Sequence, residues 1–213
     1  MNKKEREIMK KKIAAMSLFV FLIFGSSFAV AGSVYLNGNL GAVWLLDSDL
    51  SQSDGTKGTA EYDTGFGMTG ALGYDFGWVR VEGEVGYRKN DYEKVSSSGQ
   101  TGLNTSGEVT SWDFMANSYI DIDTETPFTP YFGGGIGAAV LESSTLNAGG
   151  ITIESGDDTV FAYQVMAGAS YSFSEVWMVQ LEYRFFGTTN PTYGNTESEY
   201  MSHNVFLGIR LNF

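Results

Sequence analysis

The stretch Val79-Arg80-Val81-Glu82-Gly83-Glu84-Val85-Gly86-Tyr87-Arg88 decides the fold. Val79, Val81, Gly83, Val85 and Tyr87 alternate with Arg80, Glu82, Glu84, Gly86 and Arg88. Successive residues of a strand point to opposite faces, so one face is apolar and the other is charged. Helical spacing would scatter both sets around a cylinder, which makes this segment a strand. Residues 177–186 repeat the pattern: Trp177, Val179, Leu181, Tyr183 and Phe185 share one face, and Met178, Gln180, Glu182, Arg184 and Phe186 share the other.

The same alternation continues in both directions along the chain. Strands are expected at about 33–46, 64–76, 78–88, 109–121, 129–141, 160–173, 177–186 and 200–213. Trp112, Phe114, Ala116 and Ile120 oppose Asp113, Asn117 and Asp121 on the fourth. On the fifth, Phe132, Ile136 and Val140 oppose a row of Gly133, Gly135 and Gly137. The connections alternate in length. Asp47–Asp63, Lys89–Gly107, Glu142–Asp158 and Gly187–Glu199 are long, whereas Asp75–Gly77, Ile122–Phe128 and Phe173–Val176 are short. If the strands run up and down, every long loop falls at one end and every short turn at the other, an asymmetry that belongs to outer-membrane barrels.

Periodicity alone does not say which face is inside. A soluble barrel points its apolar face inward; a membrane barrel points it at lipid. The N-terminal segment favours export. Residues 1–12 carry six Lys/Arg, residues 13–24 are uncharged, and Ala29-Val30-Ala31 is a small-x-small end. That pattern reads as a signal peptide over 1–31, cleaved after Ala31, because the apolar run is too short to span a bilayer as a helix. Met9 opens a well-proportioned leader by itself and is an alternative start. Aromatics also gather toward strand ends on the apolar face: Trp44 and Trp112 near the long loops, Trp177 and Phe213 near the short turns, as interfacial girdles require. Trp78 breaks the rule, since its parity groups it with Arg80; a bulge near the turn would re-aim it.

Composition narrows the function classes. The chain has 213 residues, 13 Lys+Arg against 25 Asp+Glu, 27 Gly, 3 Pro, no Cys and one His. Residues 32–213 keep 7 basic and 23 acidic residues, a net charge of -16. Such an acidic chain is a poor nucleic-acid binder, and without cysteine it has no disulfides or thiolate metal sites.

The ending Gly208-Ile209-Arg210-Leu211-Asn212-Phe213 resembles the terminal signal of bacterial outer-membrane barrels. His203–Arg210 is similar to the last strand of OmpA-like and opacity-type eight-stranded barrels, and Pro130–Gly137, Phe161–Gln164 and Leu181–Arg184 resemble their internal strands. The resemblance implies an all-β, eight-stranded antiparallel up-and-down transmembrane barrel over 32–213 in the bacterial outer membrane, monomeric and without cofactor. It implies insertion through Gly208, Ile209, Leu211 and Phe213 by periplasmic chaperones and the barrel-insertion machinery. It implies contact with outer-membrane lipid and lipopolysaccharide, and a host or surface ligand for the loops. Since the chain stops at Phe213, the peptidoglycan-binding domain of some members is not expected.

An eight-stranded barrel is narrow enough for side chains to fill it. The inward charges Arg80, Glu82, Glu84, Arg88, Glu182, Arg184 and Arg210 are therefore expected to pair into a network that blocks any wide channel. No catalytic or metal residue is assigned. His203 is the sole histidine, and Ser202 beside it points to the opposite face, which spoils a Ser–His pair. Asp47–Gly58 lacks the glycine and terminal acid of a calcium loop. Asp47, Asp49, Asp54, Glu154, Asp157 and Asp158 read as solvated loop tips. A structural or surface-display role is expected. A lipid A deacylase or acyltransferase using His203, or a small-solute channel, are the alternatives.

Overall fold

Eight long strands alternate along the chain in the computed structural model: β1 (Ser33–Leu45), β2 (Gly65–Asp75), β3 (Val79–Ser97), β4 (Glu108–Asp121), β5 (Phe128–Ser143), β6 (Gly156–Ser172), β7 (Trp177–Thr188) and β8 (Met201–Asn212). The structure describes residues 32–52, 57–97, 100–104, 107–144, 146–148, 151–153, 156–193 and 196–213, so the signal peptide expected over 1–31 lies outside the described residues. Each strand pairs antiparallel with the next, and β8 pairs back onto β1 through Tyr35↔Asn212 to Leu45↔Ser202. The closed eight-stranded architecture expected from the sequence is borne out. Closure leaves these strands no open edge, which a lipid environment demands because hydrocarbon offers no hydrogen bonds.

The stagger is read by following the register once around. Ser33 faces Asp75, then Arg80, Tyr119, Gly133, Met166, Arg184 and Asn204 in turn, and the circuit returns to β1 at Val43, ten residues higher. Eight strands closing with that displacement lean about 40° from the axis, which holds the interior to the width of packed side chains.

The inward glycines of β5 make that width usable. A Cβ on Gly133 would stand 2.5 Å from the Tyr119 ring, and one on Gly137 would stand 2.8 Å from Met115 Sδ. One on Gly135 would collide with Asn117 Oδ1. Each missing side chain thus leaves room for a long one on β4. Gly135→Val is expected to destabilise the barrel by about 1–3 kcal/mol through overpacking. Outward Gly134, whose Cβ would meet nothing nearer than 3.7 Å, should tolerate Ala within roughly 0.5 kcal/mol. Urea unfolding in lipid vesicles measures both.

The short turns are tight. Gly77 has φ 101°, in the left-handed region that glycine adopts without strain, and its N–H donates to Asp75 Oδ1 at 2.7 Å. Trp78 corrects the sequence expectation. It lies in this turn ahead of β3, 70% exposed, and the β2–β3 register runs without a shift. No bulge is needed, because a residue outside the strand has no parity to obey.

The strand bounds also differ from expectation at the long-loop end. The sequence pattern ends the third strand at Arg88, yet β3 continues to Ser97, β5 reaches Ser143 and β6 begins at Gly156. Ser48–Gln52, Lys57–Tyr62 and upper β3 form a sheet with Thr196–Ser198 and Thr192–Tyr193. Gln100–Asn104 pairs with β3, and Leu146–Ala148 pairs with Ile151–Ile153.

Along these extensions the strand period persists while its chemistry inverts. Below the edge, outward residues are apolar: Tyr87 on β3, Trp112 on β4, Val140 on β5 and Phe161 on β6. Above it the outward residues are Lys89 and Asp91, Glu108 and Thr110, Glu142, and Asp157 and Thr159. The inward residues change the opposite way, from Arg88 and Asp113 to Tyr92, Val109, Leu141 and Val160, all of them buried. The wall therefore meets hydrocarbon below this edge and water above it.

Candidate functional site

The period of two places Arg80, Glu82, Glu84 and Arg88 on one side of β3, and the closed sheet makes that side the lumen. Glu182 and Arg184 of β7 and Arg210 of β8 face the same interior, and all seven are at most 3% exposed. Arg184 is the hub. Its Nη1 and Nη2 donate to the two oxygens of Glu84 at 2.7 and 3.0 Å. Its Nη2 and Nε donate to Glu182 Oε1 at 2.7 and 3.0 Å. Gln164 of β6 donates to Glu84 Oε1 at 3.1 Å and to Asn117 Oδ1 at 2.7 Å. A buried guanidinium of this kind is tolerable only because planar, paired donors meet ionised acceptors.

Toward the short turns, Arg80 donates from Nε and Nη2 to both oxygens of Asp121 at 2.7 and 3.0 Å. Its guanidinium lies over the Tyr119 and Tyr131 rings, 4.5 and 5.0 Å from their centroids. Tyr35 donates to Glu82 Oε1 at 2.9 Å. Arg210 has a sparser shell: Met178 Sδ 2.6 Å from Nη2, and Asp75 at 4.0 Å. Toward the long loops, Arg88 pairs with Asp113 of β4, donates from Nε to Asn204 at 3.3 Å, and stacks 3.9 Å above the Phe186 ring. The interior is thus occupied from one end to the other.

Asp113, Asp121 and Asp75 are network members that the sequence reading left out, although Asp113 and Asp121 lay on a face it had identified as polar. Parity could have included them. Their pairing to particular arginines depends on register.

The outer face carries the aromatics. Trp44, Trp112, Trp177 and Phe213 are 43%, 47%, 45% and 70% exposed on the outside of the wall. Phe66, Tyr87 and Trp112 form a ladder across β2, β3 and β4, with centroids 6.1 and 4.9 Å apart. Of the terminal residues, Ile209 and Phe213 face outward, while Gly208 turns inward opposite Asn39 and Gln180. Rings of this kind at the ends of an apolar wall suit a headgroup boundary.

His203 lies on that outer face. Its Nδ1 is 2.6 Å from the Tyr183 hydroxyl, and its ring lies against Tyr183 and Phe185 with centroids 5.9 and 5.5 Å away. Ser202 is fully buried on the lumen side, so the two face apart. Among the described residues no group of three or more His, Cys, Asp or Glu is placed to hold a metal ion.

Comparison with known proteins agrees with this geometry. Residues 15–213 match the family described as outer membrane protein beta-barrel domain. An uncharacterized protein of Brucella abortus is 31% identical over 167 residues, covering 62% of this chain and 56% of its own length. The chain therefore spans a little over half of that relative. Outer membrane protein PagN of Salmonella typhimurium is 26% identical over 199 residues, covering 83% of each chain. The crystal structure of Neisserial surface protein A superposes with a TM-score of 0.53 at 20% identity, covering 86% of this chain and 99% of that one.

Proposed function

We propose, from the premise that this chain belongs to the outer membrane protein beta-barrel domain family, that its barrel is a closed anchor presenting the long-loop end at the cell surface. The observation that carries this is the pairing of an apolar outer wall with an interior filled by ion pairs. A wall of exposed Leu, Ile, Val and aromatic side chains is stable only against lipid. A lumen crossed by Arg80, Glu84, Arg88, Glu182 and Arg184 leaves no wide bore running from one end to the other, so the barrel serves by what it holds up. The extended upper wall of β3 to β6 and the sheet built on it supply a platform for a host or surface ligand. The aromatic girdles contact membrane lipid and lipopolysaccharide. Gly208–Phe213 addresses the barrel to the chaperones and insertion machinery.

Protease shaving tests the orientation. Protease added to intact cells is expected to cut within residues 46–64, 98–107, 144–155 or 189–200, and to spare 76–78, 122–127 and 173–176. Cleavage of the short turns in intact cells, with the long connections protected, would overturn the reading.

A further inference from the structure

The two ends of the lumen differ in kind. At the short-turn end the interior is polar to its mouth: Asp75, Arg80, Asp121 and Arg210 stand there, with the Asp75 side chain 18% exposed. At the long-loop end the interior is closed by one continuous apolar cluster that includes Leu45, Tyr92, Val109, Leu141, Val160 and Phe186. These come from β1, β3, β4, β5, β6 and β7, so the cluster joins six of the eight strands across the barrel. Every one of them is at most 8% exposed. It adjoins the polar column directly, since the Phe186 ring lies 3.9 Å from the Arg88 guanidinium and Leu141 pairs in register with Ser111, the neighbour of Arg88 on β4.

Below that layer, several buried polar atoms lack a protein partner. Among them are Arg210 Nη1 near the mouth, Glu82 Oε2, Tyr119 Oη and Asn117 Nδ2 above it, and Arg88 Nη2 and Asp113 Oδ1 next to the apolar layer; within the layer itself only scattered atoms such as Asn90 Oδ1, Thr188 Oγ1 and Tyr200 Oη are left without one. Buried donors and acceptors of this kind are ordinarily satisfied by solvent. Their run from the mouth to the apolar layer traces a polar path with one open end.

We infer that the lumen is a blind vestibule: water and small cations enter from the short-turn end, reach Arg88 and Asp113, and stop at the apolar layer. A hydrated ion can exchange its shell for the carboxylates and amides of the column. It finds no such replacement among Leu141, Val160 and Phe186. The interior charges consequently equilibrate with the solution on the short-turn side and are insulated from the long-loop side.

The chain has no cysteine, so introduced thiols report access cleanly. Ser170→Cys marks the lower lumen and Ser111→Cys the lower face of the layer, on the rung shared by Arg88 and Leu141; both serines are buried and close to cysteine in size. Each protein is reconstituted in vesicles with the long loops outward, and silver ion is supplied from outside or from within. Both thiols are expected to react roughly ten-fold or more faster with silver from the short-turn side. Opening the layer with Tyr92→Ala and Leu141→Ala should raise the long-loop-side rate of Ser111→Cys by a similar factor. Equal rates from the two sides with the layer intact would overturn the inference. So would a Ser111→Cys thiol that does not react from the short-turn side. If the opened variant does not fold, as judged by heat-modifiable migration, the sidedness of the two single-cysteine proteins still decides the matter.

Discussion

Replacing Arg184 with methionine is expected to destabilise the folded barrel by about 3–5 kcal/mol, the largest effect of any single substitution proposed. Methionine keeps much of the side-chain volume, so the loss is electrostatic. Arg184 is wholly buried and is the only cation within ion-pairing distance of Glu84 among the described residues; it also holds Glu182 at 2.7 Å. Its removal leaves two carboxylates in a narrow, buried section of the lumen. Both then lose the counter-charge that made their burial tolerable. Combining Arg184→Met with Glu84→Gln should recover part of the loss, because the neutral amide no longer needs the guanidinium. Urea titration in lipid vesicles gives both values. A single variant as stable as the parent would mean that the central ion pairs contribute nothing to holding the barrel shut.

The second large effect lies on the opposite face. Leu207 is 65% exposed, in register with Leu40 of β1 and Leu181 of β7, which are 61% and 58% exposed. Leu207→Arg is expected to destabilise the barrel in lipid by about 2–4 kcal/mol, the cost of a cation on the lipid face near the bilayer midplane. Phe206→Arg would probe a different property, because Phe206 is fully buried and packs against the Arg184 guanidinium 5.2 Å from its ring. The Leu207 result is the sharper one. On a water-facing wall an exposed leucine changes to arginine at little cost. A measured change under roughly 0.5 kcal/mol in vesicles would therefore show that this face does not meet hydrocarbon.

Much of this could be read from the sequence, and the parts that could not share a cause. The period of two in β3 and β7 gave the faces, and the alternation of long and short connections gave the ends. That was enough to send Arg80, Glu82, Glu84, Arg88, Glu182, Arg184 and Arg210 to one side. Parity assigns a face but not a height, so it could not match Arg80 to Asp121 or Arg88 to Asp113. Those pairs arise from the ten-residue climb of the closed sheet, which no single strand records. The shortfall of the third strand has a related origin. Beyond Tyr87 the outward residues become Lys89, Asp91 and Glu93, and an apolar stripe followed from below is lost there. The strand itself goes on, because the backbone does not register that the solvent outside has changed from hydrocarbon to water. Trp78 failed for a simpler reason: a turn residue was assigned a strand's parity.

The distribution of the arginines has a consequence for what the exterior can recognise. Beyond residue 31 the chain has four, Arg80, Arg88, Arg184 and Arg210, and each is at most 3% exposed inside the wall. The flat fork that grips a sulfate, phosphate or uronate with two parallel hydrogen bonds is thus absent from the outward surface of the barrel. Lys89 and Lys94, the lysines with described side chains, already touch Glu108 and Glu93. Among the described residues, acidic sugars would meet a face poor in means to hold them, one made of hydroxyls, amides, aromatic rings and a surplus of carboxylates.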